Sequence, residues 1–254
     1  MTLQVTRFKS GDPITVEGIA ATVDHSLLRP DITVKELIEG CEIAKKYNCV
    51  SVCVRPSDLP IVCEALEGTD VLPTTVIGFP HGTATTESKA FETKDAIEKG
   101  AVEVDMVMNI GRFLSEEYDY VENDIKAVVD VAHSMGAKVK VIFENHYLTP
   151  EQIMKACEIA ERAGTDFVKT STGYAPTGSK IEDLKTMRES VSDHIEVKSA
   201  GGVRDLDQTL AVLSTGSVRI GTRGTVKILD EAAERVKAGQ LIVKDNNQDL
   251  DGGY

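Results

Sequence analysis

The chain has 254 residues, 41% of them hydrophobic, which is enough for one sizeable core. A formal net charge of −13 and a pI near 4.9 argue against nucleic acid or an anionic membrane as partner. No stretch approaches the length of a membrane span, and the mixed residues 1–8 do not read as a signal peptide.

Short β-rich runs alternate with helical patterns along the chain. Strands are predicted over 19–24, 50–54, 73–78, 102–107, 138–144, 166–170, 195–200 and 217–221. Helix starts are marked between them. Thr33 to Glu36 and Thr149 to Gln152 read as capping boxes, the second with Pro150 at the first helical position. Asp205 to Gln208 is a third start signal. About eight strand–helix units in about 250 residues predict a single-domain (β/α)8 barrel. The rival, a doubly wound open sheet, often carries a glycine fingerprint after its first strand, and Asp24-His25-Ser26-Leu27-Leu28 has no glycine. The expected division is an N-terminal extension over 1–17, a barrel over 18–240 and a flexible tail over 241–254.

Barrel strands alternate interior and helix-facing residues. If apolar residues mark the helix side, Asp24, Cys53, Asp105, Glu144, Lys169 and Lys198 all face inward. Each is expected toward the C-terminal end of its strand, where barrel active sites are built. Lys169 and Lys198 occupy like places in consecutive strands. A like charge about 5 Å away, at an effective dielectric of about 20, costs roughly 3 kcal/mol. That amounts to about two pKa units, enough to bring Lys169 near 8 and make it nucleophilic. The seventh and eighth loops, Ser199-Ala200-Gly201-Gly202-Val203-Arg204 and Gly221-Thr222-Arg223-Gly224, are glycine-rich at the places where barrels bind phosphate. The turn Thr170-Ser171-Thr172-Gly173 is placed to close a third side. His25, His81 and His146 read as structural, because lysine chemistry needs no imidazole. The five scattered cysteines, Cys41, Cys49, Cys53, Cys63 and Cys157, suit reduced thiols and a cytoplasmic protein, with no zinc spacing.

Six runs in this order resemble one family. They are Asp24-His25-Ser26-Leu27-Leu28, Val52-Cys53-Val54-Arg55-Pro56, Gly78-Phe79-Pro80-His81-Gly82, Glu103-Val104-Asp105-Met106-Val107, Phe167-Val168-Lys169-Thr170-Ser171-Thr172-Gly173 and Lys198-Ser199-Ala200-Gly201-Gly202-Val203-Arg204. From about Ala20 to Lys237 the chain resembles the deoxyribose-phosphate aldolases, class I aldolases on a (β/α)8 barrel. The resemblance implies that Lys169 forms a Schiff base, Lys198 lowers its pKa, and Asp105 is an acid/base group acting through a water. It also implies that Asp24, Cys53 and Thr170 line the substrate pocket and that Gly173, Gly201, Gly202 and Gly221 cradle phosphate. Tyr254 stands where relatives carry a terminal tyrosine that shuttles a proton. The implied substrates are a small aldehyde and a sugar phosphate, with no metal or organic cofactor, and either a homodimer or a tetramer fits. Relatives commonly place two serines where this chain has Arg223 and Gly224. Arginine grips phosphate bidentately, so Arg223 is a candidate phosphate ligand. A lysine aldolase with an altered acceptor and a non-catalytic sugar-phosphate-binding barrel stay open as alternatives.

Overall fold

The computed structural model describes residues 6–245 and 250. Eight parallel strands close into a barrel: β1 Val23–Leu27, β2 Ser51–Val54, β3 Leu72–Ile77, β4 Glu103–Val107, β5 Lys138–Ile142, β6 Phe167–Lys169, β7 Glu196–Ala200 and β8 Arg219–Thr222, with β8 pairing back onto β1. The alternation of strand and helix thus gives the expected (β/α)8 barrel. Val52, Val104, Val139, Val168 and Val197 point outward and are fully buried under the helices. Each such side chain contributes roughly 1.5–3 kcal/mol by leaving water.

The helix starts follow the side-chain chemistry read from the chain. Thr33 and Thr149 form full capping boxes with Glu36 and Gln152, and the Asp205 side chain accepts from the Gln208 N–H. These caps satisfy backbone donors that the first helical turn leaves unpaired.

Three expectations need correction. The first strand was expected over 19–24, but Val16–Ala20 is a helix. Thr15 caps it by accepting from the Gly18 N–H, Glu17 suits its first turn, and Ile19 and Ala20 are buried by it. The strand starts only at Val23. The inward residues also do not all sit at strand C-termini: Asp24 is second in β1, and Asp105 and Lys198 are central in β4 and β7. Glu144 is not in a strand at all, because β5 ends at Ile142.

The N-terminal segment meets the chain's other end at the bottom of the barrel. Gly11 N–H donates to the Val243 carbonyl at 2.8 Å and Val243 N–H donates to Asp12 at 2.9 Å. Leu241 and Val243, at the start of the segment expected to form a flexible tail, are buried, as is Leu250, while Ile242, Lys244 and Asp245 are exposed. Apolar residues at 241 and 243 gain more from burial than they lose in chain freedom.

His25 in β1 packs outward, with Nδ1 at 2.8 Å from the Thr225 hydroxyl. Burial pushes its imidazole down from 6.5 to about 4. The folded protein keeps His25 neutral where the unfolded chain protonates it. Stability from this residue is therefore full above pH 6.5 and falls as pH drops toward 4. The expected loss is about 3 kcal/mol. Urea unfolding at pH 7 and pH 4 should show a smaller acid penalty for His25→Gln than for the natural chain.

Candidate active site

The barrel interior holds seven buried charged groups joined by ion pairs. Register sets them side by side: Lys169 lies beside Lys198, Lys198 beside Arg219, and Asp105 beside Lys140. Six of the groups form a closed circuit of alternating sign. Asp24 pairs with Lys198 at 2.5 Å, and Lys198 with Asp105 at 2.6 Å. Asp105 pairs with Lys140 at 2.8 Å, and Lys140 with Glu103. Glu103 pairs with Arg219 at 2.7 Å, and Arg219 returns to Asp24 at 2.6 Å. Three carboxylates and three cations balance. Lys169 hangs from the circuit by one bond, Nζ donating to Asp105 Oδ2 at 2.7 Å. It is the surplus cation of the cluster.

The protonation pattern follows from this arrangement. Burial pushes the Lys198 ammonium down, but Asp105 and Asp24 more than offset it, and the group ends well above the ordinary lysine range. Lys140, held by Asp105 and Glu103, likewise ends raised against its burial. Lys169 ends lowered: burial pushes it down, Asp105 pulls the other way, and Lys198 adds to the push. Repulsion between the two lysines is thus a secondary cause, and desolvation comes first. Burial would raise the Asp105 carboxyl, but Lys140, Lys169 and Lys198 hold it well below the carboxylate range. Burial also works to raise Asp24, which Arg219 and Lys198 overcome. The Cys53 thiol is pushed up by burial, which keeps it protonated and unreactive.

Above the circuit lies a cavity of about 510 Å³, lined by Asp24, Cys53, Lys169 and Lys198 at its floor. Gly173, Gly201, Gly202, Gly221 and Arg223 line it as well. Glycine is required where loops meet closely: a Cβ on Gly178 would fall 2.4 Å from the Gly201 carbonyl oxygen, and Gly201 itself has φ +82°. Thr170 is elsewhere. Its hydroxyl donates to the Ala200 carbonyl and accepts from the Ala200 N–H, both at 3.1 Å, so it ties β6 to β7 and does not line the cavity. Tyr254 lies outside the described residues. Among the described residues no group of His, Cys, Asp and Glu is arranged to hold a metal ion.

Three members of the circuit have no role in the sequence reading: Glu103, Lys140 and Arg219. All three are reachable by the alternation rule. Ser217, Arg219 and Gly221 share one parity against Val218 and Ile220, which marks Arg219 as inward. Lys140 was inward by the same test but carried no role until its partners were visible.

A half-open cavity at the mouth of a (β/α)8 barrel, with a desolvated lysine on its floor, stands where barrel enzymes build their active sites. The chain belongs to the DeoC/LacD family of aldolases, which matches residues 19–230. It is 50% identical over 208 residues to the deoxyribose-phosphate aldolase of Clostridium novyi, covering 82% of this chain and 93% of that protein. It is 47% identical over 216 residues to that of Thermococcus gammatolerans, covering 84% and 96%. The solved deoxyribose phosphate aldolase of Aeropyrum pernix, described as a tetramer, superposes with a TM-score of 0.80 at 29% identity, covering 88% of this chain and 93% of that one. The protein is therefore an aldolase, a carbon–carbon lyase.

Arg219→Met deletes one cation and leaves Asp24 and Glu103 short of a partner. Breaking a buried pair in this way costs about 3–5 kcal/mol, readable by urea unfolding. The same variant leaves Lys169 as the third cation against three carboxylates. Its amine should then react more slowly with a small acylating reagent at pH 8 than in the natural chain.

Proposed function

We propose that the protein cleaves 2-deoxyribose 5-phosphate reversibly to acetaldehyde and glyceraldehyde 3-phosphate, with Lys169 as the imine-forming amine. The single observation that carries this reading is the surplus position of Lys169, the one lysine of the interior charge cluster whose ammonium is disfavoured. The substrate assignment draws on the relatives named above.

In the synthetic direction, neutral Lys169 Nζ attacks the acetaldehyde carbonyl carbon, and the carbonyl oxygen takes up a proton. The carbinolamine loses water to give a protonated imine. Loss of a methyl proton then yields an enamine, with the imine nitrogen accepting the electron pair. The enamine carbon attacks the aldehyde carbon of glyceraldehyde 3-phosphate, whose oxygen is protonated. Water releases the sugar phosphate and regenerates the amine. Asp105 is given the role of passing protons through a water by the likeness to the family; its three lysine contacts keep it ionised and position it beside Lys169. Lys198 stays charged and disfavours the charged form of Lys169. Asp24 and Cys53 shape the cavity floor. Glycine N–H groups of the sixth, seventh and eighth loops, together with Arg223, hold the phosphate at the mouth.

We also propose a cytoplasmic homodimer or homotetramer. The tetrameric Aeropyrum pernix relative supports assembly. All five cysteines are free thiols, and among the described residues no helix is long and apolar enough to cross a membrane. The expected division into an extension, a barrel and a tail carrying Tyr254 as proton shuttle is proposed alongside.

Acetaldehyde with borohydride is expected to leave an ethyl group on Lys169, mapped by peptide mass spectrometry. Lys169→Ala should lose the adduct and lower turnover by about 10³-fold or more. An adduct that survives this substitution contradicts the assignment. Arg223→Ala should raise KM about tenfold for the phosphorylated sugar and leave unphosphorylated 2-deoxyribose unchanged. Equal effects on both sugars would favour the altered-acceptor reading.

A further inference from the structure

Glu144 is a buried acid with no part in the charge circuit or in the proposed chemistry. It is 3% exposed and adopts φ +58°, the left-handed region that side chains other than glycine rarely enter. Of the three non-glycine residues with positive φ among those described, it alone is buried; Asn48 and Glu116 are exposed. Held strain of this kind survives only where the surroundings fix it.

The surroundings do fix it. Phe143 N–H donates to the Lys169 carbonyl and Asn145 N–H to the Thr170 carbonyl, both at 3.0 Å. Donors two residues apart meet acceptors one residue apart, so Glu144 is one residue more than the pairing needs. Such a bulge re-aims a side chain, and bulges recur beside active sites. Here the carboxylate is turned from the barrel interior toward the loop that follows Lys169. The Thr172 N–H lies 3.3 Å from each carboxylate oxygen, and the Thr172 hydroxyl donates to Oε2.

The contact sets the direction of a longer relay. With its hydrogen directed at Glu144, the Thr172 hydroxyl oxygen accepts from the Tyr174 N–H at 3.0 Å. The Tyr174 hydroxyl in turn donates to the Leu28 carbonyl beyond β1 at 2.7 Å. One carboxylate thereby orders the backbone on both sides of Gly173, at the cavity wall where Thr172 and Gly173 lie.

We propose that Glu144 is a positioning residue for the anion end of the substrate: it holds Thr172 and Gly173 in the shape that binds phosphate, and takes no part in imine formation at Lys169. The inference rests on the phosphate reading of this cavity. Burial raises the Glu144 carboxyl from its ordinary value, opposed first by the Thr172 hydrogen bonds and then by the charges of Lys169 and His146, so Thr172 is its main support.

Glu144→Gly removes the carboxylate and tolerates the positive φ, which keeps folding and positioning separable. Calorimetric titration with inorganic phosphate is expected to show Kd weakened about tenfold, with KM for 2-deoxyribose 5-phosphate raised in parallel. The rate of acetaldehyde trapping on Lys169 by borohydride, which involves no phosphate, is expected to stay within about twofold. Glu144→Gln, which keeps one acceptor, should fall between. Unchanged phosphate affinity in Glu144→Gly overturns the proposal. So does trapping that falls as far as phosphate affinity, which marks a merely structural role, and so does a natural chain that binds no inorganic phosphate. If the natural chain binds phosphate but traps no acetaldehyde, the aldolase substrate reading fails, and the phosphate comparison between the two chains still decides the role of Glu144.

Discussion

A buried circuit of six alternating charges, with a seventh attached to one member, is the constraint on which this barrel depends. Isolated charges in a protein interior are too costly to persist, and here each carboxylate has at least two cationic partners. The circuit draws on β1, β4, β5, β7 and β8, so closing it requires the barrel to close in one register. A one-residue slip in any of these strands would turn a charge out into the apolar helix layer. The neutral six-membered circuit also fixes which group is in excess. Lys169 can lose its proton and leave the six-membered circuit intact; Lys198 and Lys140 each bridge two carboxylates, so loss of a proton from either would open the circuit.

The chemistry follows from that asymmetry. A nucleophilic amine needs a lowered pKa, while the groups around it must keep their charges through the reaction. The barrel separates the two demands by pairing and not by depth: Lys169 and Lys198 lie side by side in register and both line the cavity, but Lys198 is held by two carboxylates and Lys169 by one. Above Lys169 lie the glycine loops proposed to bind an anion, and the loops themselves are braced from outside the cavity. Thr170 ties β6 to β7, and Glu144 holds Thr172. The same short segment after β6 therefore carries the amine on one side and the proposed phosphate contact on the other.

Much of this was legible in the chain, for definable reasons. Period-two alternation is strong in short barrel strands, so Asp24, Cys53, Asp105, Lys169 and Lys198 could be set inward from their apolar neighbours alone. Caps at Thr33, Thr149 and Asp205 are local hydrogen-bond chemistry and needed no tertiary knowledge. What failed depended on context. Ile19 and Ala20 suit a strand or a helix equally, and Thr15 decided for the helix. Glu144 obeyed the alternation on paper, but a bulge after Ile142 broke it, and bulges leave no mark in composition. Thr170 sits in the right run but turns between strands. The circuit itself was invisible because pairing between β4, β5 and β8 is a property of closure, and Arg219 shows its role only beside Asp24 and Glu103.

The claim that Lys169 is the surplus cation is tested most directly by an NMR titration of side-chain amines in protein labelled at lysine Nζ, with the Lys169→Ala variant assigning the signal. The account predicts that Lys169 loses its proton below the ordinary lysine value of 10.5, while Lys140 and Lys198 stay charged beyond it. Lys169 still charged at that pH, or Lys198 losing its proton first, would contradict it.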